Sequence, residues 1–316
     1  SLAPGINAQT TRLFQQLLID SPNCGVALHN IAGATVAQFA SDATGTIEAG
    51  RLLAKICLGG DGQIDVVGAT EGQVNLQHVS VAVNNPLVSC MGCQYAGWPL
   101  STENYFAMCS GPIRLLRGQE PVLKSYHLLQ TDEFAIGVLE ASRLPDETTI
   151  KTVCDATGVQ ANNLTLCVAP TSSLPGSTQV VARSVETAMH KLHELGFDLR
   201  QICRGSGSAP LPPQTGDDLI ALGWTNDSIL YGSSVRLVVD TKDVAIESIL
   251  NQVPSCSSRE FGVPFLELFK RYDMDFYKID KMLFSPAKIT FENLRTGNSF
   301  STGQVRNDLL IQSFGI

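Results

Sequence analysis

The sequence predicts an α+β protein, and three observations carry that prediction. Helical and strand-like periods are mixed along all 316 residues without a regular alternation. Hydrophobic residues make up 44% and charged residues 16%, the balance of a folded chain with a core of its own. The length allows one large domain or two ordinary ones.

Each element follows from local pattern. Residues 6–19 (INAQTTRLFQQLLI) carry apolar residues at helical spacing and predict an opening helix. Gly25 to Phe39 alternates around His29-Asn30-Ile31-Ala32-Gly33, which predicts a hairpin. Residues 48–58 read as a helix stopped by Gly59-Gly60, and 62–84 as two strands turning at Glu71-Gly72. The stretch 89–112, SCMGCQYAGWPLSTENYFAMCSGP, is polar and glycine-rich, the composition of a binding loop rather than of core structure. Phe134–Leu139 and Leu164–Val168 read as short strands around a helix at Asp146–Thr157, an α/β crossover. Gly176–Leu195 is the longest helical pattern, and Gly196 suits its C-terminal cap. A loop rich in Gly, Ser and Pro is expected over Arg204–Gln214. Ile229–Asp240 reads as a strand, and Val244–Gln252 and Pro264–Arg271 as helices. Ala287–Phe300 reads as a hairpin turning at Thr296-Gly297, and 305–313 as a closing helix.

The charge of −8 argues against nucleic acid or anionic membrane as the main partner, since both select clustered Lys and Arg. No apolar run reaches the length of a membrane span. Ser1 to Gly5 show no basic segment followed by an apolar one, so no signal peptide is expected and a cytoplasmic location is. Nine cysteines, odd in number and scattered, read as reduced thiols. Cys90-Met-Gly-Cys93 is the one tight pair. A four-thiolate zinc site needs a second, so no metal is expected.

Six segments could carry chemistry. Ala169 to Ser177 follows a strand and precedes the long helix; it reads equally as a backbone N–H site for an anion or ring edge and as an ordinary Ser/Thr cap. Arg183 and Glu186, three apart among Val180, Val181, Val185 and Ala188, share a helical face. Such a pair is commonly a surface ion pair; partly buried, it is a candidate base whose strength burial and the guanidinium push in opposite directions. His190 and His193 lack the i,i+4 spacing of a helical zinc site and read as a solvated face. Arg204 to Pro210 could wrap a phosphate, but lacks a P-loop ending, and a flexible loop is the alternative. Gly223 to Asp227 reads as a turn ahead of a strand, offering the Asn226 amide and the Asp227 carboxylate to a heterocycle edge. Tyr272 to Asp280 interleaves aromatics, which stack on flat rings, with carboxylates; its alternative is a packed loop with charges outward.

Together these segments resemble a known family. EAGRLLAKICLGG, CQYAGW, YFAMCSGPIR, VAPTSSLPGSTQVVARSVETAMHKLHELGFD, TNDSILYG, PSCSSREFGVPF, DFYKIDKMLFSPAKI and the closing SFGI are similar to the methenyltetrahydromethanopterin cyclohydrolases, more to the bacterial branch than to that of methanogens. The resemblance implies reversible hydrolysis of the methenyl bridge of a tetrahydromethanopterin-type carrier, or its dephospho analogue, to the 5-formyl form in one-carbon metabolism. It implies no metal and no redox cofactor, the pterin carrier being the substrate. It also implies two α+β domains with a pocket between them and a homo-oligomer, often a trimer. Residues 1–150 would form the first domain and 151–316 the second, carrying the catalytic helix, with segments free to interleave.

By the same resemblance Glu186 matches the family's catalytic carboxylate and Arg183 its neighbouring Arg. Gln94, Tyr95, Ser110 and Gly111 would bind substrate on one side and Thr171, Ser173, Asn226 and Asp227 on the other. Arg204 or Lys278 would meet the acidic tail. One departure stands out: Trp224 occupies a place where the family carries Arg, which puts a tail contact in doubt. Competing readings are another one-carbon enzyme on the same carrier, such as a formyltransferase or dehydrogenase, and a carrier-binding protein without catalysis. No dinucleotide fingerprint favours the dehydrogenase.

Overall fold

A computed structural model of the chain describes residues 5–42 and 44–316. Ser1–Pro4, on which the expectation of no signal peptide partly rests, lie outside the described residues. The first elements are α1 (Ile6–Asp20), β1 (Ala27–Ile31), β2 (Ala34–Gln38), α2 (Ile47–Cys57), β3 (Gln63–Val67) and β4 (His78–Val83). A π-helical segment, Leu87–Gln94, leads to β5 (Trp98–Ser101), β6 (Phe106–Ser110), α3 (Arg114–Arg117) and α4 (Pro121–Ser125). Then come β7 (Ala135–Glu140), α5 (Glu147–Thr157), β8 (Leu164–Ala169), α6 (Leu174–Val181), α7 (Ser184–Glu194) and β9 (Ile202–Pro210). The last are α8 (Asp218–Gly232), β10 (Ser234–Val239), α9 (Asp243–Glu247), α10 (Phe265–Arg271), β11 (Lys288–Asn293), β12 (Ser299–Gly303) and α11 (Asn307–Phe314).

The chain divides into two compact units that interleave. One takes the residues up to Asp61 together with Val88–Gln179; the other takes Gly62–Leu87 and Val180–Ile316. Residue 150 is therefore not the divide, because all of β8 and most of α6 fall in the first unit. Helices and mixed sheets in both units give the α+β class that the irregular periods predict.

The first unit's sheet has the order β1-β2-β8-β7-β6-β5, with β8 parallel to both neighbours. Helices cover both faces. Ile150 and Val153 of α5 pack with Val36, Leu139 and Leu166, while Phe14 of α1 and Leu53 and Ile56 of α2 pack with Ala37, Val138 and Cys167. Burial on both faces explains why β7 and β8 read as continuous apolar runs. The hairpin of β1 and β2 closes through Ala32 and Gly33, both left-handed, with φ of 51° and 92°. The crossover β7–α5–β8 stands as the sequence predicts.

The second unit's sheet has the order β12-β11-β10-β9-β4-β3, parallel only between β10 and β11. Four expectations are corrected. Residues 204–210 are no loop: they are the body of β9, paired on both sides with β10 and β4. Residues 223–232 are helical, so β10 starts at Ser234 rather than at Ile229. The long helix is two helices, α6 and α7, broken at Ala182–Arg183. The glycine-rich stretch 89–112 is largely regular structure rather than loop: it runs through the π-helical segment, β5 and β6, with Cys90, Cys93, Gln94, Cys109 and Ser110 fully buried and Pro99, Ser101, Glu103, Asn104 and Phe106 exposed.

Candidate active site

The break before α7 places the pair from which the sequence argument drew most. Arg183 is the N-cap residue of α7, with φ −92° and ψ 15°, and Glu186 stands in the first helical turn. The Arg183 carbonyl accepts both the Thr187 N–H and the Thr187 hydroxyl, each at 2.8 Å, which starts the helix. Arg183 is 8% exposed and Glu186 6%, so the pair is not a solvated surface ion pair. The positive end of the α7 dipole favours an anion at Glu186.

Two glycines seat this helix start. A Cβ at Gly205 would lie 2.8 Å from Val185 Cγ1, and one at Gly207 would collide with Ser184 Oγ. The close approach of α7 to β9 therefore requires the missing side chains. These are the glycines of the expected phosphate loop; their function is close helix-on-strand packing. The same alternation fixes Arg204. Gly205 and Gly207 face α7, so Arg204 and Ser206 point to the opposite face of the sheet. Arg204 is exposed there, on the side away from Glu186.

Farther along α7, His190 and His193 are half-buried and Glu194 is exposed, while the buried side of the helix carries a lysine. Lys191 is 1% exposed, and its Nζ donates to Met282 O at 2.5 Å and to Ser257 Oγ at 3.4 Å. Burial lowers its pKa to about 8, and the Asp280 carboxylate opposes that shift. Burial likewise lowers the pKa of His190. No cluster of His, Cys, Asp and Glu suited to a metal occurs among the described residues.

In the first unit, Gln94, Tyr95, Ser110 and Gly111 lie around the end of the π-helical segment and β6. Cys57 Sγ donates toward Gln94 O at 3.9 Å and lies 3.2 Å from Ser110 Oγ. Gly111, with φ of 97°, donates its N–H to Cys93 O at 2.7 Å. Tyr95 is half-buried, its ring 5.2 Å from the Arg114 guanidinium. Arg114 carries no local sequence signal. It is fully buried, donates to Met91 O and Gly92 O at 2.9–3.1 Å, and holds Glu120 through two bonds. It thus satisfies carbonyls that the end of the π-helical segment leaves open. Cys90 and Cys93 are buried thiols in that segment. Burial pushes Cys93 up to about 12, which makes it unreactive.

The turn before α6 is capped by its own hydroxyls. Ser173 Oγ accepts the Gly176 N–H at 3.1 Å and donates to Pro170 O, and Thr171 O accepts the Ser177 hydroxyl at 2.7 Å. Of the two readings of this turn, the cap is visible directly.

Asn226 and Asp227 lie within α8. Asn226 donates back to Leu222 O at 2.9 Å. Asp227 is buried; Oδ1 accepts the Phe265 N–H at 2.9 Å and Oδ2 the Ser313 hydroxyl at 2.5 Å. Burial raises its pKa to about 7. Trp224 donates Nε1–H to Ser313 O at 3.0 Å and meets the Phe314 ring at 5.8 Å. So α8 grips α11 through Trp224 and Asp227, and the motifs TNDSILYG, GVPF and SFGI meet in one joint. Lys278 is exposed, in a short 3₁₀ turn.

A family model described as "Cyclohydrolase (MCH)" matches residues 5–314. The chain is 47% identical to the methenyltetrahydromethanopterin cyclohydrolase of Rhodopirellula baltica, over 99% of this chain and 96% of that one. The chain belongs to this cyclohydrolase family. It is 42% identical to the protein of the same name from Methylobacillus flagellatus, over 100% and 97% of the two chains, and 37% identical to that of Methanospirillum hungatei, over 98% of each. These identities agree with the expected likeness to the bacterial branch. No helix among the described residues is long and apolar enough to cross a membrane.

Proposed function

We propose that this cyclohydrolase hydrolyses the methenyl bridge of 5,10-methenyltetrahydromethanopterin, or of its dephospho analogue, to the 5-formyl form in one-carbon metabolism. The observation that carries the site assignment is the burial of Glu186 in the first turn of α7, directly behind Arg183. The bridge carbon sits between two nitrogens in an amidinium cation and is already electrophilic. Water attacks it, and Glu186 takes the water's proton as the C–O bond forms. The tetrahedral adduct then collapses: C=O forms, the C–N10 bond breaks, and Glu186 returns a proton to N10. The proton of the adduct hydroxyl leaves to solvent, so one proton is released per turnover. Arg183 orients Glu186 and the water. General-base help of this kind contributes about a hundred- to ten-thousand-fold.

No metal or redox cofactor enters this sequence of steps. The pterin binds with Gln94, Tyr95, Ser110 and Gly111 and with the Thr171–Ser173 turn, while Lys278 rather than Arg204 meets the tail. Asn226 and Asp227 act by holding α8, not by touching substrate. The enzyme works in the cytoplasm as a homo-oligomer, with a trimer the favoured number.

The test is the methenyl absorbance of the carrier mixed with purified protein and buffer alone, with a tetrahydrofolate analogue as control. Loss of absorbance at enzyme-dependent rate is expected. No loss, or loss only with an added nicotinamide, would overturn the reading.

A further inference from the structure

A cavity of about 290 Å³ opens at one end of the second unit's sheet, away from the residues assigned to the carrier. Its floor is a row of three side chains on adjacent strands. Ser234 of β10 stands opposite Ser208 of β9 on one side and opposite Lys288 of β11 on the other. Neighbouring strands lie about 4.8 Å apart, so two hydroxyls and an ammonium can converge on one group. By strand alternation Ser208 faces the same way as Arg204 and Ser206, away from α7. Farther along that face Arg236 is paired with Glu292. Among the described residues no carboxylate pairs with Lys288, which leaves its charge available.

Two acceptors complete the lining. His78, at the start of β4, is 3% exposed and borders the cavity. Its Nδ1 lies 2.9 Å from Leu76 O, which can only accept, so Nδ1 carries the proton and Nε2 the lone pair. Burial lowers the pKa of this ring and keeps it neutral. Nε2 has no protein partner among the described residues. Asn307, the first residue of α11, borders the cavity too. Its Nδ2 donates to Gly72 O at 2.7 Å, which fixes the orientation of the amide. Its Oδ1 is buried and without a hydrogen-bond partner among the described residues. Buried acceptors left without donors are costly, and hydroxyls brought by a ligand relieve that cost. Glu71, exposed at the rim, adds a third acceptor.

We propose that this cavity is a second binding site, for a small polyol that carries one anionic group. The anion lies on Ser208, Ser234 and Lys288, and the hydroxyls donate to His78 Nε2 and Asn307 Oδ1. The site is separate from Glu186, because α7 packs on the other face of β9 at Gly205 and Gly207. Titration calorimetry on the full chain tests it, with glycerol 3-phosphate and glycerate as probes, one for each kind of anion. Glycerol and inorganic phosphate are the controls. At least one anionic polyol binds with a Kd of about 1 mM or tighter, and the tighter of the two names the anion. Glycerol does not bind, and inorganic phosphate binds about tenfold more weakly than the better probe. Lys288→Gln, a change at an exposed side chain, weakens that probe about tenfold. His78→Asn keeps a donor for Leu76 O and removes the Nε2 acceptor; it weakens the polyol about tenfold and leaves inorganic phosphate unchanged. Binding of neither probe overturns the proposal, and so does an unchanged affinity in Lys288→Gln. Inorganic phosphate bound as tightly as the polyol overturns the role of His78 and Asn307. Displacement of the probe by the methenyl carrier overturns the second site, since the cavity would then belong to the first.

Discussion

Glu186 and Asp227 are both buried carboxylates of the second unit, on the helices α7 and α8. Asp227 lies deep inside α8, and its two oxygens are taken by the Phe265 N–H and the Ser313 hydroxyl. It joins three helices and leaves no oxygen for a ligand to displace without breaking that joint. Glu186 lies at the start of its helix, just behind the N-cap Arg183, on a platform that two glycines of β9 bring close. Burial alone does not separate a working carboxylate from a structural one. Its place along the helix does.

The comparison breaks first, and by most, at Glu186. Glu186→Gln keeps shape and loses the base, so turnover falls about a hundred- to ten-thousand-fold with an unchanged circular dichroism spectrum. Gly207→Ala attacks the platform instead. Its Cβ meets Ser184 Oγ, so stability falls by about 1–3 kcal/mol, read as a lower Tm, and kcat drops as the start of α7 shifts.

Asp227→Asn separates the two carboxylates by pH. The Asp227 pKa is raised by burial from its ordinary value of 3.8 to about 7 in the folded chain. The stability it contributes is therefore fully present below the ordinary carboxylate pKa and is lost as pH rises toward 7. Denaturant titrations should show wild type losing stability relative to Asp227→Asn over that range; a gap independent of pH would contradict the assignment. Trp224→Phe is the smallest change. It loses the bond to Ser313 O and costs about 1 kcal/mol, with KM for the carrier unaltered.

The sequence carried the opening helix, both hairpins and the β7–α5–β8 crossover, because their periods and turn residues are local. It did not show the break at Ala182–Arg183. VVARSVET contains no Gly or Pro, and the break arises where Ser184 and Val185 seat on β9, a contact across the fold. Serines and glycines misled twice for the same reason. In β9 and in residues 89–112 they serve close packing and buried pairing, whose partners are distant in the chain. Glu186 and Arg183 were visible only through the flanking segments, since an i,i+3 pair alone is ordinary. Lys191 and Arg114 carried no local signal; each earns its role from carbonyls or hydroxyls contributed elsewhere in the fold.

The most direct measurement sets the two carboxylates side by side: kcat for wild type, Glu186→Gln and Asp227→Asn at saturating methenyl carrier and one pH. The account predicts near-complete loss in Glu186→Gln and a rate within a few-fold of wild type in Asp227→Asn. Near-wild-type turnover in Glu186→Gln, or a greater loss in Asp227→Asn than in Glu186→Gln, would contradict it.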